Sequence, residues 1–242
     1  MNEALFLGMI AAVAFAYAMV GHGGASGYLA LMGIAGFAPD TMKPAALLLN
    51  LCVSIIAFAQ FLRAGHFRWN SFWPFALLSV PCAFVGAGIE LDPLVYKRIL
   101  GACIVVAALR LLGLFSAGAR PLREAPLPIA LVIGAVIGLL SGLLGIGGGV
   151  LLSPVLLICA WADAKNAAAT SALFIFVNSS AGLLKLESVR NSISPDMLGW
   201  TTAAVFGGLL GSWIGARKAP EPRLRQALGA VLLLASIKLI WP

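Results

Sequence analysis

The sequence predicts an all-α polytopic membrane protein made of two inverted repeats, each a glycine-broken helical hairpin plus three transmembrane helices. Three observations carry that prediction. The 242 residues are 61% hydrophobic and 10% charged, with a mean hydropathy of +1.01, whereas soluble domains average about 25% charged residues. Apolar runs of spanning length recur along the whole chain. Two glycine clusters, Gly21-His22-Gly23-Gly24-Ala25 and Gly145-Ile146-Gly147-Gly148-Gly149, interrupt such runs 124 residues apart. Unwound backbone is tolerated in hydrocarbon only where protein buries it or where it lines a cavity. Paired breaks in two repeats point to a transporter's binding site.

Apolar runs near 4–20, 43–62, 72–89, 96–115, 127–145, 166–186, 197–216 and 223–241 approach the roughly 17–25 residues that a spanning helix needs. The arms 25–38 and 150–161, which follow the glycine clusters, are too short to cross and read as re-entrant or half-spanning helices. Residues 116–126 form a polar, proline-containing joint between a first repeat at 1–115 and a second at 127–242. The start, Met1-Asn2-Glu3, is acidic where a cleavable leader would be basic. The similarity of the halves extends beyond the glycines. Phe84-Val85-Gly86-Ala87 matches Trp213-Ile214-Gly215-Ala216, and Leu100-Gly101-Ala102 matches Leu228-Gly229-Ala230. Arg63 to Arg68 and Lys185 to Arg190 follow equivalent spans.

Orientation follows from counting cations. If each glycine break returns the chain to its own side, ten of the sixteen Lys and Arg share one face. If each broken segment crosses once, the division is eight against eight. Because cytoplasmic loops carry an excess of Lys and Arg, the hairpin arrangement is favoured. Three further spans then invert the second half relative to the first, and both termini lie outside.

The breaks suit an anion. A helix restarting in the membrane has amides without partners inside the helix and a partial positive charge of roughly half an electron. Two such starts facing each other would make a binding site built mostly of backbone. The candidate residues are Gly21, His22, Gly23, Gly24 and Ser26 in the first break and Gly145, Gly147, Gly148 and Gly149 in the second. Asn50, Thr170, Ser171 and Asn178 would add donors, with Ser171 and Asn178 two turns apart on one stripe. Lys43 and Lys165, each read as preceding the helix after a short arm, would add positive potential. For individual polar residues the competing reading is interhelical hydrogen bonding, and for the lysines it is snorkelling to the interface.

All nine acidic residues (Glu3, Asp40, Glu90, Asp92, Glu124, Asp163, Glu187, Asp196 and Glu221) fall at segment ends or in loops. Cation-coupled carriers commonly hold a carboxylate within the membrane, so coupling through such a group is not expected. His22 is the residue placed to shuttle protons, and His66 reads as interfacial. Cys52, Cys82, Cys103 and Cys159 lie in apolar segments without CxxC spacing, so neither zinc nor a disulfide framework is expected. No cofactor is implied. The net charge of +7 reports topology, not nucleic-acid binding.

The two GxGG-type breaks, the Lys165-Asn166-Ala167-Ala168-Ala169-Thr170-Ser171-Ala172-Leu173 run and the Phe176-Val177-Asn178-Ser179-Ser180-Ala181-Gly182-Leu183 run resemble the TauE/SafE family of sulfite exporters. The likeness covers nearly the whole chain and is strongest at 138–183. It implies a multi-pass bacterial or archaeal inner-membrane transporter that exports a small sulfur-containing oxyanion such as sulfite, sulfoacetate or a related sulfonate. Its other partner is the lipid bilayer, and self-association into a homo-oligomer is left open. His22 and Ala25 depart from the glycine-rich form of the first break. The alternative functions are a passive anion channel and, on Gly24-Ala25-Ser26-Gly27, a rhomboid-like intramembrane protease. A serine protease needs a histidine base within reach, and the only histidines are His22 and His66.

Overall fold

A computed structural model describes residues 3–114, 121–185 and 195–218, with 226, 233, 236 and 237. Among these, every regular element is helical: α1 (Glu3–Ala18), α2 (Ala25–Ile34), α3 (Pro39–Arg63), a 3-10 turn (Trp69–Ser71), α4 (Trp73–Ala87), α5 (Pro93–Leu111), α6 (Leu127–Leu144), α7 (Gly149–Ile158), α8 (Ala164–Lys185) and α9 (Pro195–Arg217). The expected span at 223–241, with its Leu228-Gly229-Ala230 match, and residues 116–120 of the joint lie outside the described residues, apart from the four isolated positions. Asp40–Arg63, Leu127–Leu144, Ala164–Lys185 and Met197–Arg217 are each long and apolar enough to cross a bilayer. The chain is a multi-pass membrane protein.

Both broken segments fold back on themselves. In the first, Gly27 lies against Val13 and Tyr17, and Phe37, beyond α2, stacks on Phe6 near the start of α1 at 6.1 Å. In the second, the Arg123 amide, ahead of α6, donates to the Ala160 carbonyl, beyond α7, at 2.9 Å. The turns depend on left-handed glycines. Gly21 and Gly24 in one, and Gly145, Gly147 and Gly148 in the other, all have φ between 73° and 97°. Only glycine adopts that conformation without steric penalty.

Each hairpin packs on the other half of the chain. Along α6, Gly134, Gly138 and Gly142 sit against the carbonyls of Phe75, Ser79 and Ala83 on α4. Along α9, Gly207 and Gly211 sit against Ala11 and Phe15 on α1, and Gly215 against Met19 just beyond it. A glycine at every fourth position puts one bare stripe on a helix, and that stripe lets two backbones approach where no hydrophobic force draws helices together. Residue numbers rise together in both pairs, so α4 runs parallel to α6 and α1 to α9. The central α3 and α8 run antiparallel. Leu47, near the start of α3, meets Gly182 late in α8, and the His66 carbonyl, after α3, accepts from Asn166 Nδ2 at the start of α8 at 3.0 Å.

Two helix starts differ from expectation, since both Lys43 and Lys165 lie inside the helices they were read as preceding. Lys43 does not precede its helix but is its fifth residue, because α3 begins at Pro39. Proline at the first helical position lacks only an amide that would be unpaired anyway, and Pro44 still falls close to the start. Lys165 is the second residue of α8, which starts where Asp163 Oδ1 accepts the Lys165 and Asn166 amides at 3.0 and 2.9 Å.

Gly138→Val places a Cβ onto the Ser79 carbonyl. It is expected to destabilise the fold by about 1–3 kcal/mol, as overpacking does. Gly8→Val, with nothing within 4 Å of the added carbon, is the control. Thermal unfolding in detergent checks the pair: the first midpoint falls and the second does not.

Candidate functional site

The two glycine breaks meet at Asn50, which is fully buried near the middle of α3. Its Oδ1 accepts the Ala25 amide, the first of α2, at 3.0 Å. Its Nδ2 donates to the Ile146 carbonyl in the second break at 3.2 Å. One side chain therefore satisfies a helix-start donor in one half and a turn acceptor in the other. Gly23 and Gly147 both have to be bare, since an added Cβ would overlap Asn50 from either side.

A second polar crossing runs the opposite way. His22, in the first break, sets Nδ1 at 2.9 Å from the Val20 carbonyl. Its Nε2 lies 3.1 Å from the Gly149 carbonyl and 3.0 Å from Ser153 Oγ on α7. Ser153 Oγ meets Ser171 Oγ on α8 at 2.5 Å. This chain of buried groups joins the start of α7 to the first break. Ser26 lies apart from it, sharing a hydrogen bond of 2.8 Å with the Tyr17 hydroxyl.

The remaining candidates are distributed around this centre. Gly21 rests on Ala168, Gly145 on the stem of Lys43, Gly148 on Ile137 and Phe174, and Gly149 on Ile175. Ser179 Oγ, buried and without a hydrogen-bond partner, faces Gly147. Thr170 Oγ1 is likewise buried and unpartnered. Asn178 is used elsewhere. Its Oδ1 accepts from Ser79 on α4 at 2.8 Å and its Nδ2 donates to Phe174 at 2.9 Å, so Ser171 and Asn178 serve different neighbours. Gly24 is the N-cap of α2.

The two lysines occupy equivalent posts. Half-buried Lys43 donates Nζ to the Ala87 carbonyl at the end of α4, at 2.8 Å. Lys165 does the same to Ala216 at the end of α9, at 2.9 Å. A cation there complements the negative end of the helix dipole. Their acceptors are the alanines of the matched Gly86-Ala87 and Gly215-Ala216 pairs. The Tyr96 hydroxyl caps α6 in a similar way, donating to Leu144 at 2.9 Å.

Sequence reasoning did not single out Ser153, and it did not place Ser179 among the site residues. Ser153 lies one turn after Gly149, on the face that the glycine presents, which was the available signal. Ser179 belongs to an Asn-Ser-Ser run in which only the fold selects one member.

Residues 5–239 match the family model described as sulfite exporter TauE/SafE. The chain belongs to the TauE/SafE family. It is 40% identical over 239 residues, 95% of this chain and 94% of the relative, to a probable membrane transporter protein, y4hK, of Sinorhizobium fredii. A probable membrane transporter protein of Xylella fastidiosa is 27% identical over 207 residues, covering 79% of this chain and 77% of the relative. The Bacillus subtilis protein YunE, another probable membrane transporter, is 35% identical over 118 residues, 47% of this chain and 41% of its own. No solved structure matches. As a TauE/SafE member the protein is a membrane transporter and not an enzyme.

Asn50→Leu removes both arms of the brace at nearly constant volume. Each buried backbone group left unpaired costs about 1–3 kcal/mol, so a lower unfolding midpoint in detergent is expected. An unchanged midpoint would mean that the brace contributes nothing to the fold.

Proposed function

We propose that this transporter exports a small sulfur-containing oxyanion, sulfite or a sulfonate, across a bacterial or archaeal inner membrane, binding it between the starts of α2 and α7. The observation that carries the reading is the Asn50 side-chain oxygen on the first amide of α2. That amide already holds an oxygen acceptor deep within the bundle, and an anionic oxygen would satisfy it better, since hydrogen bonds to charged acceptors are roughly twice as strong as neutral ones. Displacing Oδ1 turns the amide group, and with it the Nδ2 contact to Ile146. Substrate binding would thereby loosen a tie between the two halves. Ser179 and Thr170 offer buried hydroxyls without partners, available as further donors. The glycines are packed too closely to admit even a methyl group, so the anion reaches the amides only when the halves part.

The inverted-repeat reading is supported by the antiparallel α3 and α8 and by the matched lysine contacts. Charge supports an orientation. Arg63, Arg68, Arg123, Lys165, Arg217 and Lys218 gather at one end of the bundle with Glu124 and Asp163. At the other, Lys43, Lys97, Arg98 and Lys185 face Glu3, Asp40, Glu90, Asp92 and Asp196. The cation-rich end is cytoplasmic by the positive-inside rule. No carboxylate lies near the breaks among the described residues, and a cytoplasm-negative potential favours outward movement of a monovalent anion by about 2.3 kcal/mol per 100 mV.

Sulfite flux in proteoliposomes under an imposed potassium diffusion potential is expected to saturate and to show counterflow. Flux linear in concentration would indicate a channel, and flux that appears only with a proton gradient would overturn the uncoupled mechanism. Gly147→Val forces a branched residue to φ +73° against Asn50, Ile175 and Ser179 and is expected to abolish flux in protein that still inserts. A reporter fused at Pro242 is expected to mark the C-terminus as external, and a cytoplasmic signal would overturn the orientation.

A further inference from the structure

Away from the glycine breaks, the cation-rich end of the bundle contains a cavity of about 850 Å³. It lies between the α3–α4 connection and the segment leading into α6. Arg68 and Arg123 line it from the two sides, and Trp69, Trp73 and Trp161 form much of the remaining wall. Neither guanidinium has a carboxylate partner among the described residues, although Glu124 also contributes to the lining. The first residues of α4 and of α6 are in the wall as well, so two helix N-termini add partial positive charge. The exposed tryptophans suit the membrane–water boundary, where such rings collect.

The floor of this cavity is Phe75 and Leu156, both fully buried. Leu156 lies on α7 one turn beyond Ser153, which begins the hydrogen-bonded chain to Ser171 and His22. Phe75 packs against the Trp161 ring at 5.9 Å between centroids. Phe75 and Leu156 belong to a buried apolar cluster with Leu152, Ala167 and Phe174, which lies beneath the positively charged chamber.

We infer that this cavity is a capture vestibule for the oxyanion, in which Arg68 and Arg123 hold the anion above a floor of Phe75 and Leu156 before it moves to the helix breaks. The inference rests on the transport reading above. The shared chemistry is a singly charged oxyanion, which a lipid phosphate could also supply, and the lipid composition separates the two sources. A cleft of one sign of charge raises the local concentration of its counter-ion and the on-rate by roughly ten- to a thousandfold.

The experiment measures KM for sulfite presented to the cation-rich end, in phosphatidylcholine proteoliposomes of defined orientation. The Arg68→Gln/Arg123→Gln variant is expected to raise KM about tenfold at low salt, with a much smaller fall in maximal rate. Near 1 M salt, where the Debye length shrinks to about 3 Å, the difference is expected to vanish. The corresponding double Lys variant keeps the charge and is expected to stay near the wild-type KM. Equal KM for the Gln variant and wild type, or a Lys variant as impaired as the Gln variant, would overturn the vestibule. So would added phosphatidylglycerol raising the wild-type KM but not that of the Gln variant, because the cavity would then hold a lipid headgroup. Titration calorimetry of sulfite into Gly147→Val protein in phosphatidylcholine nanodiscs separates this failure from failure of the central site. Binding retained there and lost on adding the two Gln substitutions supports the vestibule even without flux, and binding indifferent to them rejects it.

Discussion

A helix that ends inside a bilayer leaves up to four amides or four carbonyls without helical partners, and each one left bare in hydrocarbon costs several kcal/mol. This protein has two such interruptions, and the rest of the architecture is arranged around them. Asn50 answers the first amide of α2 and Tyr96 the last carbonyl of α6. Lys43 and Lys165 hold the ends of α4 and α9. In most cases the partner comes from a different element, and the bonds of Asn50 to Ile146 and of Tyr96 to Leu144 reach across to the other half of the chain.

That crossing has a mechanical consequence. Each hairpin is packed through bare glycine stripes onto a helix of the opposite half, so neither half forms a separate body with a smooth boundary. Close backbone contact makes the α4–α6 and α1–α9 pairs stiff. The polar ties at Asn50 and His22 are few and local, and a competing ligand can exchange them for its own hydrogen bonds. Stiff pairs joined by exchangeable polar links suit a molecule that must switch between two arrangements without melting.

Charge is distributed with the same economy. The membrane-embedded centre holds amide, hydroxyl and imidazole groups but no carboxylate among the described residues, while the formal charges collect at the two ends of the bundle. An anion entering from the cation-rich end would meet guanidinium groups first and neutral donors afterwards. Neutral donors at the centre would bind an oxyanion, as proposed, without a buried countercharge that would hold it too tightly to release.

Much of this was legible in the residues. The glycine clusters announced helix breaks because no other residue takes positive φ so readily. The four long spans were readable because hydropathy over some twenty residues is a local property of the chain. The TauE/SafE resemblance was carried by contiguous runs and held over residues 5–239. What a polar side chain touches is not a local property. Ser171 and Asn178 share a helical stripe, yet one meets Ser153 and the other Ser79, because α7 and α4 cover different stretches of α8. Lys43 and Lys165 looked like free positive charge and are helix caps, which depends on where α4 and α9 end. Composition and periodicity therefore determined the class and the breaks. Only the tertiary packing decided that Asn50 joins the breaks, because that contact spans residues 25, 50 and 146, which no local pattern relates.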